Sequence, residues 1–98
     1  MNRELQVPLR AACAPDSFEI LRIWAAEGSQ HVTIRSDLRG GASGFGMLLG
    51  QLAQHGALLY AERDGIPLEL ALEEILRALE MEVDVPNPTL SGSIDEGM

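Results

Sequence analysis

Apolar residues recur at three- and four-residue spacing in three stretches of this chain, which is the spacing of one face of an α-helix. The first stretch covers residues 16–28, and its shared apolar face is Phe18, Leu21, Trp24, Ala25 and Gly28. Asp16 followed by Glu19 has the pattern of a capping box, and Gly28 suits the end of a helix because glycine adopts left-handed backbone angles without a steric penalty. The pattern predicts a first helix that ends at Gly28 and carries Trp24 into the core, in preference to a Trp that stacks on a ligand.

Two longer stretches predict helices over residues 45–62 and 67–83. The main apolar stripe of the longer helix is Phe45, Leu48, Leu49, Leu52, Gly56, Leu59 and Tyr60, and that of the last helix is Leu68, Leu72, Ile75, Leu76 and Leu79. Gly46 and Gly50 are four residues apart, so we expect another element to cross the longer helix closely there. The short connection at residues 64–66 predicts an antiparallel helical hairpin.

Residues 31–35 change the period from helical to alternating, which is typical of a β-strand. His31, Thr33 and Arg35 point to one side of this strand, and the apolar residues between them point to the other. Residues 4–7 also alternate, and they predict a short edge strand.

These elements predict an α+β fold in the order β-α-β-α-α, in which a sheet of two or three strands packs against three helices. Residues 1–85 would form a single globular domain. Prolines at 86 and 88 end the last helix, so residues 86–98 are expected to form an extended or partly disordered acidic tail. A sheet this small leaves strand edges exposed, and we expect a homodimer that covers them.

The charge of the chain narrows the choice of partner. The net charge is −8, and residues 67–98 carry eight acidic residues against Arg77 alone. Nucleic acids and anionic membrane surfaces both require a basic face, so neither is expected as a partner, whereas a basic protein is. No apolar run approaches the length that crosses a bilayer, and the N-terminus lacks the apolar segment of a signal peptide. A cytoplasmic location is therefore predicted.

The alternating strand carries the main candidate chemistry. In one interpretation Arg35 holds an anionic group, His31 acts as the acid–base residue and Asp37, two residues beyond the strand, orients one of them. Thr33 adds a hydroxyl between the two charged positions. The alternative is a solvated strand face or a subunit contact. His55 lies on the polar flank of the longest helix, and we expect it to be a surface or interface residue in preference to a ligand-binding one.

Catalytic and metal-binding signals are missing from the pattern. The glycine-rich residues 39–44 match neither of the common nucleotide-binding spacings, and the single Cys13 has no readable base partner. We therefore expect no cofactor, no metal and no catalytic residue. A non-enzymatic accessory or protein-interaction module is favoured, and the alternative is a small anionic-ligand binder or enzyme that uses the strand face.

Several short motifs resemble a small family of bacterial proteins, mostly proteobacterial, that is known only as a domain of unknown function. They comprise Ile23-Trp24-Ala25-Ala26 with Gly28, Gln30-His31-Val32, Asp37, Gly46, Leu52-Ala53-Gln54-His55, and Pro86-Asn87-Pro88-Thr89 with Gly92. The chain departs from the family pattern at Phe45 and near Val83, where Trp is usual. The resemblance implies a small cytoplasmic protein with His31 and His55 at motif positions, and it implies no activity.

Overall fold

The computed structural model describes residues 3–85 and 93–97. Its elements, in chain order, are α1 Leu9–Cys13, β1 Leu21–Ala26, β2 Ser29–Arg35, α2 Gly41–Asp64, α3 Leu68–Asp84 and β3 Ser93–Gly97. The α+β class, the small sheet and the three helices are confirmed. The element order is α-β-β-α-α-β, so the predicted β-α-β-α-α order is wrong in its first part and lacks the last strand.

The described residues divide into two compact units. A sheet unit contains residues 3–36 and 93–97, and a helical unit contains residues 37–85. The single globular domain over residues 1–85 stays a prediction. Of the predicted tail, residues 93–97 form a strand, and the remainder lies outside the described residues.

The sheet has the strand order β1-β2-β3. β1 and β2 are antiparallel, with Leu21 opposite Ile34 and Ala26 opposite Ser29. β2 and β3 are parallel, with His31 opposite Ser93 in backbone register. β2 is therefore the central strand of the three.

The stretch predicted as the first helix is β1 and a hairpin turn, which corrects that prediction. Ala26 pairs with Ser29, so the loop contains only Glu27 and Gly28, with φ of 53° and 72°. Positive φ at both central residues defines a type I′ turn, whose twist matches that of two antiparallel strands. The left-handed conformation expected of Gly28 is present, but it closes a hairpin and not a helix. Glu19 does not cap a helix, since its carboxylate binds Arg22.

Residues 4–7 are not part of the sheet, so the predicted edge strand is wrong. The connector that follows them contains α1 instead. This five-residue helix begins after Pro8, and the Ala12 amide donates a hydrogen bond to the Pro8 carbonyl oxygen at 2.9 Å. Pro8 is the N-cap residue of this helix, with a ψ of 140° that is not helical. Cys13 is exposed at the end of α1.

The two long helices form the predicted hairpin. α2 begins at Gly41, four residues earlier than expected, and it ends at Asp64. Gly65 follows as the C-cap, a position that its φ of 66° suits. Pro67 precedes the first turn of α3. A Cβ built at Gly56 would lie 3.7 Å from Ile75 Cδ1, which places the two helices in direct contact at mid-length of α2.

Close approach occurs at other glycines than predicted. Within residues 3–85 and 93–97, a Cβ built at Gly46 or Gly50 has no neighbour within 4 Å, so no described element crosses α2 closely at those two positions. A Cβ at Gly44 would lie 2.3 Å from the carbonyl oxygen of Arg39. The turn before α2, where Gly40 has a φ of 89°, folds back on the first turn of the helix and causes this approach.

The interior of the hairpin is made of small side chains. Ala53, Ala57 and Ala71 are the buried apolar residues among those whose burial is described. Leu52 and Leu59, which were expected in the core stripe, are 44% and 62% exposed. Only one side of α2 faces α3, and several large side chains on its other sides are exposed. Trp24, also expected in the core, is half-buried.

Within the described residues, no helix combines the length and the apolar character that crossing a membrane requires.

Candidate functional site

The hairpin of β1 and β2 brings five polar or aromatic side chains onto one face. His31, Thr33 and Arg35 share a face of β2, as the alternation predicted. The antiparallel register places Trp24 opposite His31 and Arg22 opposite Thr33, so both join the same face. We call these five residues the polar face of the sheet. It presents two guanidinium groups, an imidazole, a hydroxyl and an indole, a set that suits an anion with a planar part.

The sequence prediction missed Arg22 and Trp24 as members of this face. A helix over residues 16–28 would have separated them from His31. A signal in the sequence could have shown that they belong to this face. Glu27 and Gly28 form a two-residue loop between two runs that are rich in β-branched and aromatic residues, and this combination indicates a β-hairpin.

Arg35 holds the chain before β1 against the end of β2. Its Nε donates a hydrogen bond to the Glu19 carbonyl oxygen at 2.9 Å, and its backbone amide donates to the Ile20 carbonyl oxygen at 2.9 Å. Its guanidinium carbon lies 4.8 Å from the centre of the Phe18 ring, within the range of a cation–π contact. These contacts give Arg35 a structural role in addition to any ligand role.

His31 lies near the hairpin turn and is half-buried. Its Nε2 is 3.2 Å from the Ala26 carbonyl oxygen, which accepts a hydrogen bond when Nε2 carries the proton. In that tautomer Nδ1 is the acceptor nitrogen of the ring. The contact fixes the orientation of the imidazole on the polar face.

Arg22 connects three segments of the sheet unit. Its Nε donates to Glu19 Oε2 at 3.1 Å, and its Nη2 lies 3.0 Å from Glu19 Oε1 and 3.0 Å from Glu4 Oε2. The hydrogen bond to Glu19 and the charge of that carboxylate, with a smaller contribution from Glu4, raise the pKa of Arg22. The group is exposed, so solvent weakens these ion pairs and they orient more than they stabilise.

A small cleft lies between residues 3–7 and β1. Its volume is about 190 Å³, and its apolar lining includes Leu5, Val7, Ile23 and Trp24. Pockets that hold drug-sized ligands are usually larger, roughly 300–1,000 Å³. The cleft therefore suits at most a small group.

Two predicted site residues lie away from the strand. Asp37 is two residues beyond β2 and is exposed, at the start of the helical unit. His55 is exposed on α2. The proposed ligand or interface roles of His31, Thr33, Arg35, Asp37 and His55 stay predictions. In residues 3–85 and 93–97, no group of three or more His, Cys, Asp or Glu side chains could hold a metal ion.

A three-stranded sheet unit with a polar face and a helical hairpin with an alanine interior define a small α+β protein. The chain belongs to the family whose model is described as "Domain of unknown function (DUF5076)" and matches residues 4–87. This confirms the resemblance to a family of unknown function. No curated protein matches the chain.

The chain is also similar to a solved structure from the photosynthetic bacterium Rhodopseudomonas palustrus CGA009, which is provisionally described as a pyruvate dehydrogenase. The two chains are 25% identical, with a TM-score of 0.72. The similarity covers 91% of this chain and 90% of that one, so the two chains share most of their fold.

Proposed function

We propose that this protein is a non-enzymatic interaction module of the cytoplasm, which binds another protein surface through the apolar side chains of its helical hairpin. The observation that supports it is the exposure of large apolar residues on α2. They are Met47, Leu49, Leu52, Leu58, Leu59 and Tyr60, all at least 39% exposed. Extended apolar surfaces of this kind usually mark sites of protein association.

The charge of α3 gives this module a second surface of different character. α3 carries Glu69, Glu73, Glu74, Glu80, Glu82 and Asp84, with Arg77 as its one basic residue. Arg77 is paired with Glu73 one turn earlier, which leaves the other carboxylates to set the sign of this surface. An acidic helix favours a basic partner by electrostatic complementarity. The description "pyruvate dehydrogenase" belongs to the similar structure, and no observation on the described residues extends that reaction to this chain.

Site-specific photo-cross-linking in cells tests the proposal. A photoreactive amino acid at position 59, on exposed α2 surface, is expected to form covalent protein adducts. The matched control places the same group at Glu27, which is exposed in the turn between β1 and β2 and belongs to neither surface, so it should give few adducts. Adducts that are absent at position 59, or equally frequent at both positions, would contradict an interaction surface on α2.

The alternative function is a small anionic-ligand binder that uses the polar face of the sheet. The observation that favours it is the register, which adds Arg22 to the same face as His31 and Arg35. In this reading Arg35 and Arg22 hold the anion, and His31 supplies or accepts a proton.

A thermal-shift screen with inorganic phosphate and small carboxylates tests the alternative. A ligand at 100 times its Kd should stabilise the protein by about 2.7 kcal/mol. We expect the shift to disappear in His31→Gln and Arg22→Gln and to persist in the control Glu27→Gln, which changes the turn. If no anion raises the Tm of the unsubstituted protein, the alternative fails.

A further inference from the structure

α2 has more apolar surface than its contact with α3 covers. Ala53 and Ala57 lie on the side that faces α3, and both are buried. Leu52 and Leu59 lie on other sides of the helix and are exposed. A helix that is apolar on all sides is normally surrounded by protein. α3 differs, because its acidic residues suit a helix at the surface.

The side of α2 opposite Ala57 has the spacing of a helix–helix seam, and its residues are exposed or half-buried. Phe45, Leu48, Leu52, His55 and Leu59 follow one another at intervals of three, four, three and four residues. At 100° per residue these five positions form one stripe, whose centre lies roughly 160° around the helix from Ala57. We call them the α2 stripe. Intervals of this kind place side chains into the grooves of a facing helix.

The charges on α2 and α3 indicate which surface can associate with the α2 stripe. Residues 41–61 contain no Asp, Glu, Lys or Arg, so two copies of α2 can approach without repulsion. Two copies of α3 cannot, since each carries six acidic residues and one arginine. An uncharged surface also has no carboxylate that would attract a basic protein. Self-association through α2 is therefore favoured over self-association through α3.

The apolar area around the stripe is close to what a dimer interface buries. Leu52 and Leu59 lie in the stripe and Leu49 and Leu58 lie on its flanks, and the exposed parts of these four side chains amount to roughly 350 Å². Each partner buries roughly 800 Å² of total surface in a standard interface, of which a little over half is apolar. The half-buried Phe45 and Leu48 of the stripe add to the apolar area that a partner can cover.

We propose that a second copy of this chain covers the α2 stripe, so that two hairpins associate across a two-fold axis through α2. The inference rests on the proposed function and names the partner at the same surface. Leu52 occupies the middle of the stripe, so a two-fold axis brings it against Leu52 of the second copy. His55 lies inside the interface, which gives it a position in assembly and not in catalysis.

The mass of the full chain in solution tests the proposal. Light scattering should give twice the 10.6 kDa of one chain at micromolar concentration. Leu52→Glu and Leu59→Glu should each raise the dimer dissociation constant at least about 30-fold, as the loss of an interface hot spot does. Gln54→Glu adds the same charge on the other side of α2 and should leave the constant unchanged. His55→Leu should lower it, because a polar group leaves an apolar seam.

Charge pairing keeps the test decisive if Leu52→Glu also impairs folding. A mixture of Leu52→Glu and Leu52→Lys chains should recover the dimer mass and the helical circular dichroism signal, because the opposite charges then meet at the axis.

A monomeric wild-type chain at high micromolar concentration would overturn the proposal, as would equal effects of Leu52→Glu and Gln54→Glu. A monomer that still forms cross-links from position 59 to another protein would leave the interaction module standing and reject only the second copy. A monomer without such cross-links would reject both.

Discussion

Gly44→Ala is expected to destabilise the protein by about 2 kcal/mol or more, which is toward the upper end of the range for overpacked sites. The new Cβ would lie 2.3 Å from the Arg39 carbonyl oxygen and 3.3 Å from the Arg39 carbonyl carbon. Both atoms belong to the backbone, so no side-chain rotation relieves the overlap. The Gly44 amide also donates a hydrogen bond to the Gly40 carbonyl oxygen at 3.0 Å, which ties the same turn to α2. The turn must open, and the first turn of α2 should fray with it.

Gly50→Ala is the matched control for this substitution. Gly50 lies inside the same helix, and a Cβ there has no neighbour within 4 Å in the part of the chain that the structure describes. Alanine should therefore stabilise α2 by about 0.5–1 kcal/mol, because it loses less backbone entropy than glycine on forming a helix. Urea unfolding at one fixed chain concentration measures both effects. Equal midpoints for the two variants would show that the turn at Arg39 does not approach Gly44 as described.

The contrast between these two glycines shows what the sequence could and could not predict. The length and periodicity of residues 45–62 and 67–83 were enough to predict α2, α3 and the short connection between them. The same pattern contains several glycines and does not say which of them another backbone approaches. That depends on the path of residues 39–44, which the pattern predicted as a flexible connector.

The prediction of a helix over residues 16–28 was wrong for a related reason. Residues 18–28 fit a helical period because large apolar residues stand at every third or fourth position. The β-branched and aromatic residues of the same stretch also fit a strand. Pairing with β2 decides between the two, and pairing is a contact between segments that a local pattern does not record. The two-residue turn at Glu27 and Gly28 was the local signal that favoured the strand.

The positions of the candidate site residues on the sheet were predicted in part, and their roles stay predictions. Alternation alone placed His31, Thr33 and Arg35 on one face of β2, because the side-chain period of a strand is fixed by backbone geometry. The contribution of Arg22 and Trp24 depended on the register of the neighbouring strand. The sequence also did not predict that alanines would fill the interior of the helical hairpin. The spacing of apolar residues shows which sides of α2 are apolar, but it does not show which of those sides α3 covers.

The second large effect is expected at the contact between α2 and α3, where Ala57→Leu should destabilise the protein by about 1–3 kcal/mol. Ala57 is 0% exposed, and Ala53 and Ala71 are the other buried apolar residues described. The approach of α3 to α2 depends on these small side chains. A leucine at position 57 needs volume that the contact lacks, so α3 must shift outward along its whole length. We expect a lower urea midpoint and faster hydrogen exchange of the α3 amides.

Ala42→Leu is the control for the added volume, because Ala42 is exposed in the first turn of the same helix. Its effect should stay within about 0.5 kcal/mol, as for most surface substitutions. The two variants must be compared at equal chain concentration, since a dimer couples stability to concentration. Ala57 lies on the side of α2 opposite the α2 stripe, so a modest overpacking there should loosen α3 before it affects the dimer dissociation constant. The contrary result would be that Ala57→Leu abolishes the dimer and leaves the hydrogen-exchange rates of the α3 amides unchanged. In that case the side of α2 that carries Ala57 would be the subunit interface, and α3 would not pack there.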